Sequence, residues 1–179
     1  MISIQVIFWL LVVIFAIIGA VRGWASEVLV TFCSILGIFL LFILDNFSGF
    51  ASESPLFTNP VSHYWLQTIV FIGLVFLGYQ APNLPALSGH VRFFNVTLID
   101  HLAGLAMGAI NGFFIFGSLW FFMDAAGYPV SIITPPEAGT EIGDAAINLL
   151  AYLPPHWLVS PAIYFSAALA LALVLVVFL

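Results

Sequence analysis

Five long apolar stretches constrain the fold of this chain more than any other feature of its sequence. They cover residues 2–21, 28–44, 64–79, 98–123 and 157–179. The hydrocarbon layer of a bilayer is about 30 Å thick, which an α-helix crosses with about 20 residues. A charged side chain at its centre costs on the order of 2.5–3.5 kcal/mol, so we expect the charged residues to lie between the spans. The sequence therefore predicts an all-α integral membrane protein, a polytopic bundle of about five transmembrane helices.

The composition excludes several other classes of protein. Hydrophobic residues make up 64% of the chain and charged residues 6%, whereas charged residues are about 25% of a soluble domain. A transmembrane β-barrel would show alternating segments of about ten residues, and these stretches are continuously apolar. With no lysine, two arginines and a net charge of −6, the chain has no basic surface for nucleic acid. The expected partners are the lipid bilayer and other membrane protein subunits.

The positions of the two arginines predict an orientation in the membrane. With five spans, Arg22 and Arg92 fall on the same side, which the positive-inside rule makes cytoplasmic. The N-terminus is then outside and the C-terminus cytoplasmic. The second connection, 45–63, is predicted to be a polar loop. In the fourth, an amphipathic helix over 141–153, with Thr140 as its N-cap, is predicted to lie at the outer interface and to pack on the bundle or on a partner.

These predictions divide the chain into three parts. Residues 1–123 form a four-helix membrane domain, 124–156 an outer proline-rich connection with the amphipathic helix, and 157–179 an additional C-terminal transmembrane helix.

A repeat of small residues opens the fourth span. Its members recur every four residues and share one helix face: Asp100, Gly104, Gly108 and Gly112. Glycines in this spacing allow another helix backbone to approach closely, and the Gly19/Gly23 pair predicts that the first helix is the one that does so. Asn111 lies beside this face at membrane depth, either as an interhelical hydrogen-bonding group or as part of a polar pathway.

Two positive and two negative charges are predicted to meet at the cytoplasmic side. They are Arg22, Glu27, Arg92 and Asp100, and an Arg22–Asp100 contact across helices is one expected pairing. Paired charges at a helix end set the register of neighbouring helices, so a structural clamp is one interpretation of this group. A proton or ion relay is the other.

These two motifs resemble those of the colicin V production protein (CvpA) family of bacterial inner-membrane proteins. The resemblance is carried by the run Arg22-Gly23-Trp24-Ala25-Ser26-Glu27 and by the glycine repeat that begins at Asp100, and it covers about residues 1–123. It implies a non-enzymatic role in colicin V production or export, or in the cell envelope, exerted through membrane partners. Family members often carry an arginine where this chain has Asn111, and many lack the fifth apolar stretch.

No catalytic residue, cofactor or metal site is predicted. The four histidines, His63, His90, His101 and His156, all fall near the ends of spans. A facing pair could ligate haem or chlorophyll, although interfacial histidines more often hydrogen-bond to headgroups, backbone or carboxylates. Two further hypotheses stay open. The chain is an accessory subunit of a large respiratory or photosynthetic membrane complex, or a small channel or transporter that uses Arg22, Glu27, Asp100 and Asn111.

Overall fold

The computed structural model describes residues 4–47, 54–81 and 98–178, and in these ranges all regular structure is helical. The helices, numbered in chain order, are α1 (Ile4–Arg22), α2 (Trp24–Phe47), α3 (Pro55–Thr58), α4 (Pro60–Gln80), α5 (Leu98–Ala125), α6 (Glu141–Leu150), α7 (Pro154–Trp157) and α8 (Ala162–Phe178). The prediction of an all-α fold is confirmed.

Four of these helices are long and apolar enough to cross a bilayer, namely α1, α2, α4 and α5. The chain is thus a membrane-embedded helical bundle. Helix α8 has 17 residues, which at 1.5 Å per residue is about 25 Å, slightly less than the hydrocarbon thickness. The fifth apolar helix begins at Ala162 and not at Trp157, as the sequence had suggested, because residues 154–157 form the separate helix α7.

Local capping explains several helix boundaries. Helix α4 begins at Pro60, because the Asn59 side chain accepts hydrogen bonds from the first backbone N–H groups and proline suits the first turn. The connection 45–63 was predicted to be a plain loop, but it contains the short helix α3, which Ser54 caps. The predicted N-cap of α6 is confirmed, since Thr140 Oγ1 accepts a hydrogen bond from Gly143 N at 3.0 Å.

The helices pack in a defined order. Helix α1 packs mainly on α5, while α2 contacts α4, α5 and α8. Aromatic rings fill the core between them: Phe71 is fully buried and meets Phe122 edge to face at 5.7 Å, and Phe8 lies 5.6 Å from Trp120. We call the end of the bundle where α1 meets α2 the turn end, and the other end the opposite end.

The segment after α6 folds back along α5 toward the bundle centre. A Cβ built on Gly117 would lie 2.9 Å from Pro154 Cδ, and the Trp157 ring lies 6.0 Å from the Phe114 ring. Gly117 is eight residues before Ala125, the last residue of α5, so α7 lies about 12 Å along α5 from its end. The predicted helix over 141–153 ends earlier, at Leu150, and Pro154 and Pro155 begin the separate helix α7.

Candidate functional site

A single glycine makes the turn between α1 and α2. Gly23 has φ +83°, a left-handed conformation that residues with a side chain rarely adopt. Asp100, in the first turn of α5, lies against this turn, and its Oδ1 accepts a hydrogen bond from Trp24 N at 3.4 Å. The carboxylate thus helps to satisfy the first N–H groups of α2, where the helix dipole also favours negative charge. Because the turn is so short, Glu27 lies within the first turn of α2 and not in the connection between spans.

Arg22 and Glu27 form an ion pair inside the bundle. Arg22 Nη1 donates to Glu27 Oε1 at 2.5 Å, and the Glu27 side chain is fully buried while that of Arg22 is 23% exposed. Arg22 Nη2 also donates to the backbone oxygen of Tyr79 at 3.1 Å, in the last turn of α4. The guanidinium carbon lies 4.4 Å from the centre of the Tyr79 ring, which adds a cation–π contact. The last turn of α4 is thereby tied to the end of α1.

Asn111 completes the coordination of Glu27 from α5. Its Nδ2 donates to Glu27 Oε2 at 2.8 Å and to the Glu27 backbone oxygen at 2.9 Å, and both residues are fully buried. Its Oδ1 accepts a hydrogen bond from Thr31 Oγ1 at 2.7 Å. Both amide hydrogens and the amide oxygen are therefore used, which is what an amide in an apolar interior requires.

We call these five residues the buried polar cluster: Arg22, Glu27, Thr31, Tyr79 and Asn111. They come from α1, α2, α4 and α5, which are the four helices in the described part of the chain that are long enough to span a membrane. A buried ion pair stabilises a fold only where hydrogen bonds satisfy its remaining lone pairs and protons. Here each Glu27 carboxylate oxygen has a donor from a different helix, so the cluster holds all four helices in one register.

The glycine repeat lies where α1 crosses α5. A Cβ added to Gly19 would lie 2.7 Å from Gly108 Cα, and one added to Gly112 would lie 3.0 Å from Val12 Cα. A Cβ on Gly104 would meet the Gly19 carbonyl carbon at 3.1 Å. These neighbours are backbone atoms, which no change of rotamer can move. The predicted close approach of α1 to this face is present.

The structure does not join all of the predicted charges. Asp100 bonds to the α2 backbone, and the described residues contain no ion pair between it and Arg22. Because α2 already places Glu27 beside Arg22, the guanidinium is paired locally. Arg92, together with His90, lies outside the described residues.

The described histidines are near helix ends, as expected, and they lie apart from one another. His101 Nδ1 is 2.6 Å from the Ala20 backbone oxygen at the turn end. His63 Nε2 is 3.0 Å from Asp45 Oδ1 at the opposite end. His156 is exposed on α7. In the ranges that the structure describes, no three His, Cys, Asp or Glu side chains lie close enough to hold a metal ion.

Two members of the buried polar cluster were missed from the sequence. Thr31 is four residues after Glu27, so the two share one face of α2, and that spacing was the available signal. Tyr79 carries no such signal, because its contribution is a backbone oxygen and a ring face that only the packing of α4 on Arg22 brings into place.

Comparisons of this chain with known proteins gave no match. No protein-family model matches the chain, and neither a curated protein nor a solved structure does.

Proposed function

We propose that this chain is a non-enzymatic bacterial inner-membrane protein of the CvpA kind, with a role in colicin V production or export or in the cell envelope. It acts by presenting a rigid helical bundle to other membrane proteins. The motifs that carry the resemblance, the Arg22–Glu27 run and the glycine repeat after Asp100, are the ones that meet at the turn end of the bundle.

The observation that carries this proposal is the saturation of Glu27 and Asn111. Two donors on different helices occupy the two carboxylate oxygens, and three hydrogen bonds use the whole amide. Groups that are bound in this way hold helices together and have little capacity left to bind a substrate. This supports the clamp interpretation of the motif, with the function exerted on the outer surface of the bundle.

The proposed orientation places the turn end in the cytoplasm. Arg22 lies at this end, and the connection 82–97, which contains Arg92, begins and ends beside it because α4 ends and α5 begins there. Both arginines then belong to the cytoplasmic side under the positive-inside rule. An odd number of crossings, with α8 as the fifth, puts the N-terminus outside and the C-terminus inside.

Gentle purification from native membranes tests the proposal. A tagged chain is extracted in mild detergent, and the bound proteins are identified by mass spectrometry and quantified against the bait. We expect another membrane protein at a fixed stoichiometry, and enrichment of envelope or export proteins would fit the CvpA-like role. Enrichment of respiratory or photosynthetic subunits would favour the accessory-subunit hypothesis instead. Recovery of the chain only as a monomer or homo-oligomer would contradict action through partners.

A second candidate function, an ion or proton relay, is favoured by Tyr79. Its hydroxyl oxygen is buried, has no hydrogen-bond partner among the described residues, and belongs to the ring that lies against the Arg22 guanidinium. A relay through this site requires flux in proteoliposomes that contain the purified chain alone. Glu27→Gln and Tyr79→Phe should then abolish the flux, while Gly73→Ala, at a site with open space around it, should leave it unchanged. Absence of flux with the unaltered chain eliminates the relay.

A further inference from the structure

The exposed apolar face of α1 is bounded by polar residues at both ends. Its large exposed side chains run from Val6 to Val21, with Gln5 directly before them and Arg22 directly after them. Gln5 and Arg22 are 17 residues apart, which is about 25 Å along an α-helix. Arg22 cannot extend its charge far beyond this limit, because its guanidinium is bound to Glu27 and to the last turn of α4.

Helix α4 has the same polar spacing and runs in the opposite direction. His63 and Gln80 are also 17 residues apart, and exposed apolar side chains lie between them over residues 65–77. His63 is at the opposite end of the bundle, where its Nε2 is 3.0 Å from Asp45 Oδ1 and both side chains are partly exposed. Ionisable groups in contact with acyl chains are costly. His63 therefore marks the limit of the hydrocarbon layer at this end, as Arg22 does at the turn end.

Helix α5 is longer than this spacing, but much of it is covered by other elements. It has 28 residues, and no side chain over residues 111–123 is exposed. It packs on α7 at Gly117, beside Pro154, and Gly117 is 17 residues after Asp100, which lies against the turn between α1 and α2. Helix α7 is therefore also about 25 Å from the turn end. Its exposed Trp157 is of the residue type that is enriched at membrane–water interfaces.

We propose that the lipid-facing surface of this chain fits a hydrocarbon layer about 25 Å thick, formed by acyl chains that are shorter than those of a typical membrane. A typical hydrocarbon layer is about 30 Å thick. Membrane helices are tilted by about 20° on average, and any tilt makes the matching layer thinner still. Lipids with longer chains have to compress around the bundle, at a cost that rises with each Å of mismatch. The bundle therefore binds shorter lipids in preference. This inference goes beyond the proposed function and does not depend on it.

Competition between lipids for the protein surface tests the inference. The full chain is reconstituted in vesicles that mix brominated phosphatidylcholine, whose bromine quenches tryptophan fluorescence, with unbrominated phosphatidylcholine of another chain length. Trp9, Trp65 and Trp157 report the exchange, because all three are nearly half exposed. Relief of quenching gives the relative binding constant of each lipid. With monounsaturated chains of fourteen to twenty-two carbons, we expect the tightest binding at sixteen carbons or fewer, and binding at least about twofold weaker at twenty-two. Equal binding of all lipids, or an optimum at eighteen carbons or more, overturns the inference.

Two double variants test which residues set this fit. Gln5→Leu with Gln80→Leu removes one polar limit from each helix and lengthens both apolar faces, so the optimum should move to longer chains. Val13→Leu with Ile72→Leu is the matched control, because both residues are exposed in the middle of the same two helices. We expect the control to keep the optimum of the unaltered chain, and the same optimum in both double variants overturns the assignment of the limits. The vesicles contain no other protein, so these results are separable from those that test the proposed function.

Discussion

Replacing Gly108 by alanine tests the crossing of α1 and α5 on which the buried polar cluster depends. The new Cβ would lie 2.9 Å from Gly19 Cα and 3.1 Å from Gly19 N, whereas ordinary contacts are 3.4–4 Å. The backbone oxygen of Phe15 would lie closer still. All three neighbours are backbone atoms, so α1 itself has to move by about 1 Å. A shift of this size forfeits about a quarter to a half of the dispersion energy of each affected contact.

The expected cost can be put in measurable terms. Overpacking of this kind typically destabilises a protein by about 1–3 kcal/mol. At about 1.36 kcal/mol per tenfold change, the unfolding equilibrium constant rises roughly 5- to 150-fold. The matched control is Gly73→Ala on α4, where nothing lies within 4 Å of an added Cβ, and alanine there favours the helix by up to about 1 kcal/mol.

Unfolding by SDS in mixed micelles, followed by tryptophan fluorescence, gives the free energy of unfolding of each variant. We expect Gly108→Ala to be clearly less stable than the unaltered chain and Gly73→Ala to be equal or more stable. If the two alanine variants unfold at the same SDS fraction, Gly108 is not at a tight backbone crossing and the packing argument fails.

Three further predictions follow from other parts of the structure. Asn111→Leu should lower the free energy of unfolding by about 2–5 kcal/mol, since Glu27 loses a buried donor. Asn111→Asp should lower this free energy further, because the new carboxylate faces that of Glu27. An unchanged unfolding curve for Asn111→Leu would refute the clamp. Gly117→Leu should displace α7 and make an introduced His156→Cys react faster with a water-soluble maleimide, whereas an unchanged rate would mean that α7 does not depend on this contact. Burial is the main cause that raises the pKa of Tyr128 to about 12. The nearby Asp124 carboxylate also raises this pKa, whereas the hydrogen bond from Trp120 lowers it. The Tyr128 phenol should therefore ionise near pH 12 when it is followed by ultraviolet absorbance. The stability that this group contributes should be present below about pH 10, where the phenol of the unfolded chain ionises, and should be lost by about pH 12. Ionisation of Tyr128 near pH 10 would contradict this prediction.

The membrane spans could be predicted from the sequence because apolar length is a direct requirement of the bilayer. Four helices match four of the apolar stretches, with ends displaced by up to four residues. The largest consequence of such a displacement is at Glu27. A charge near the end of an apolar run is expected to lie outside the helix, and only the one-residue turn at Gly23 brings it inside.

The pairing within the site could be predicted only in part. The glycine spacing indicated a close crossing, because it depends on helix periodicity alone. The choice of Glu27 over Asp100 as the partner of Arg22 depends on which helix lies nearest, and the use of the Tyr79 backbone oxygen depends on where α4 ends. The inward position of α7 was also not foreseen. Pro154 and Pro155 correctly indicate the end of a helix, but the space that receives α7 is created by Gly117, far away in the sequence.

A double-mutant cycle between Arg22 and Glu27 tests the central claim, that this pair clamps the bundle. Arg22→Gln alone leaves a buried carboxylate without its cation and should cost about 3–5 kcal/mol of unfolding free energy. Adding Glu27→Gln removes that uncompensated charge, so we predict that the double variant is more stable than Arg22→Gln alone, with a coupling energy above about 1 kcal/mol. Losses that simply add, with a coupling below about 0.5 kcal/mol, would contradict the clamp.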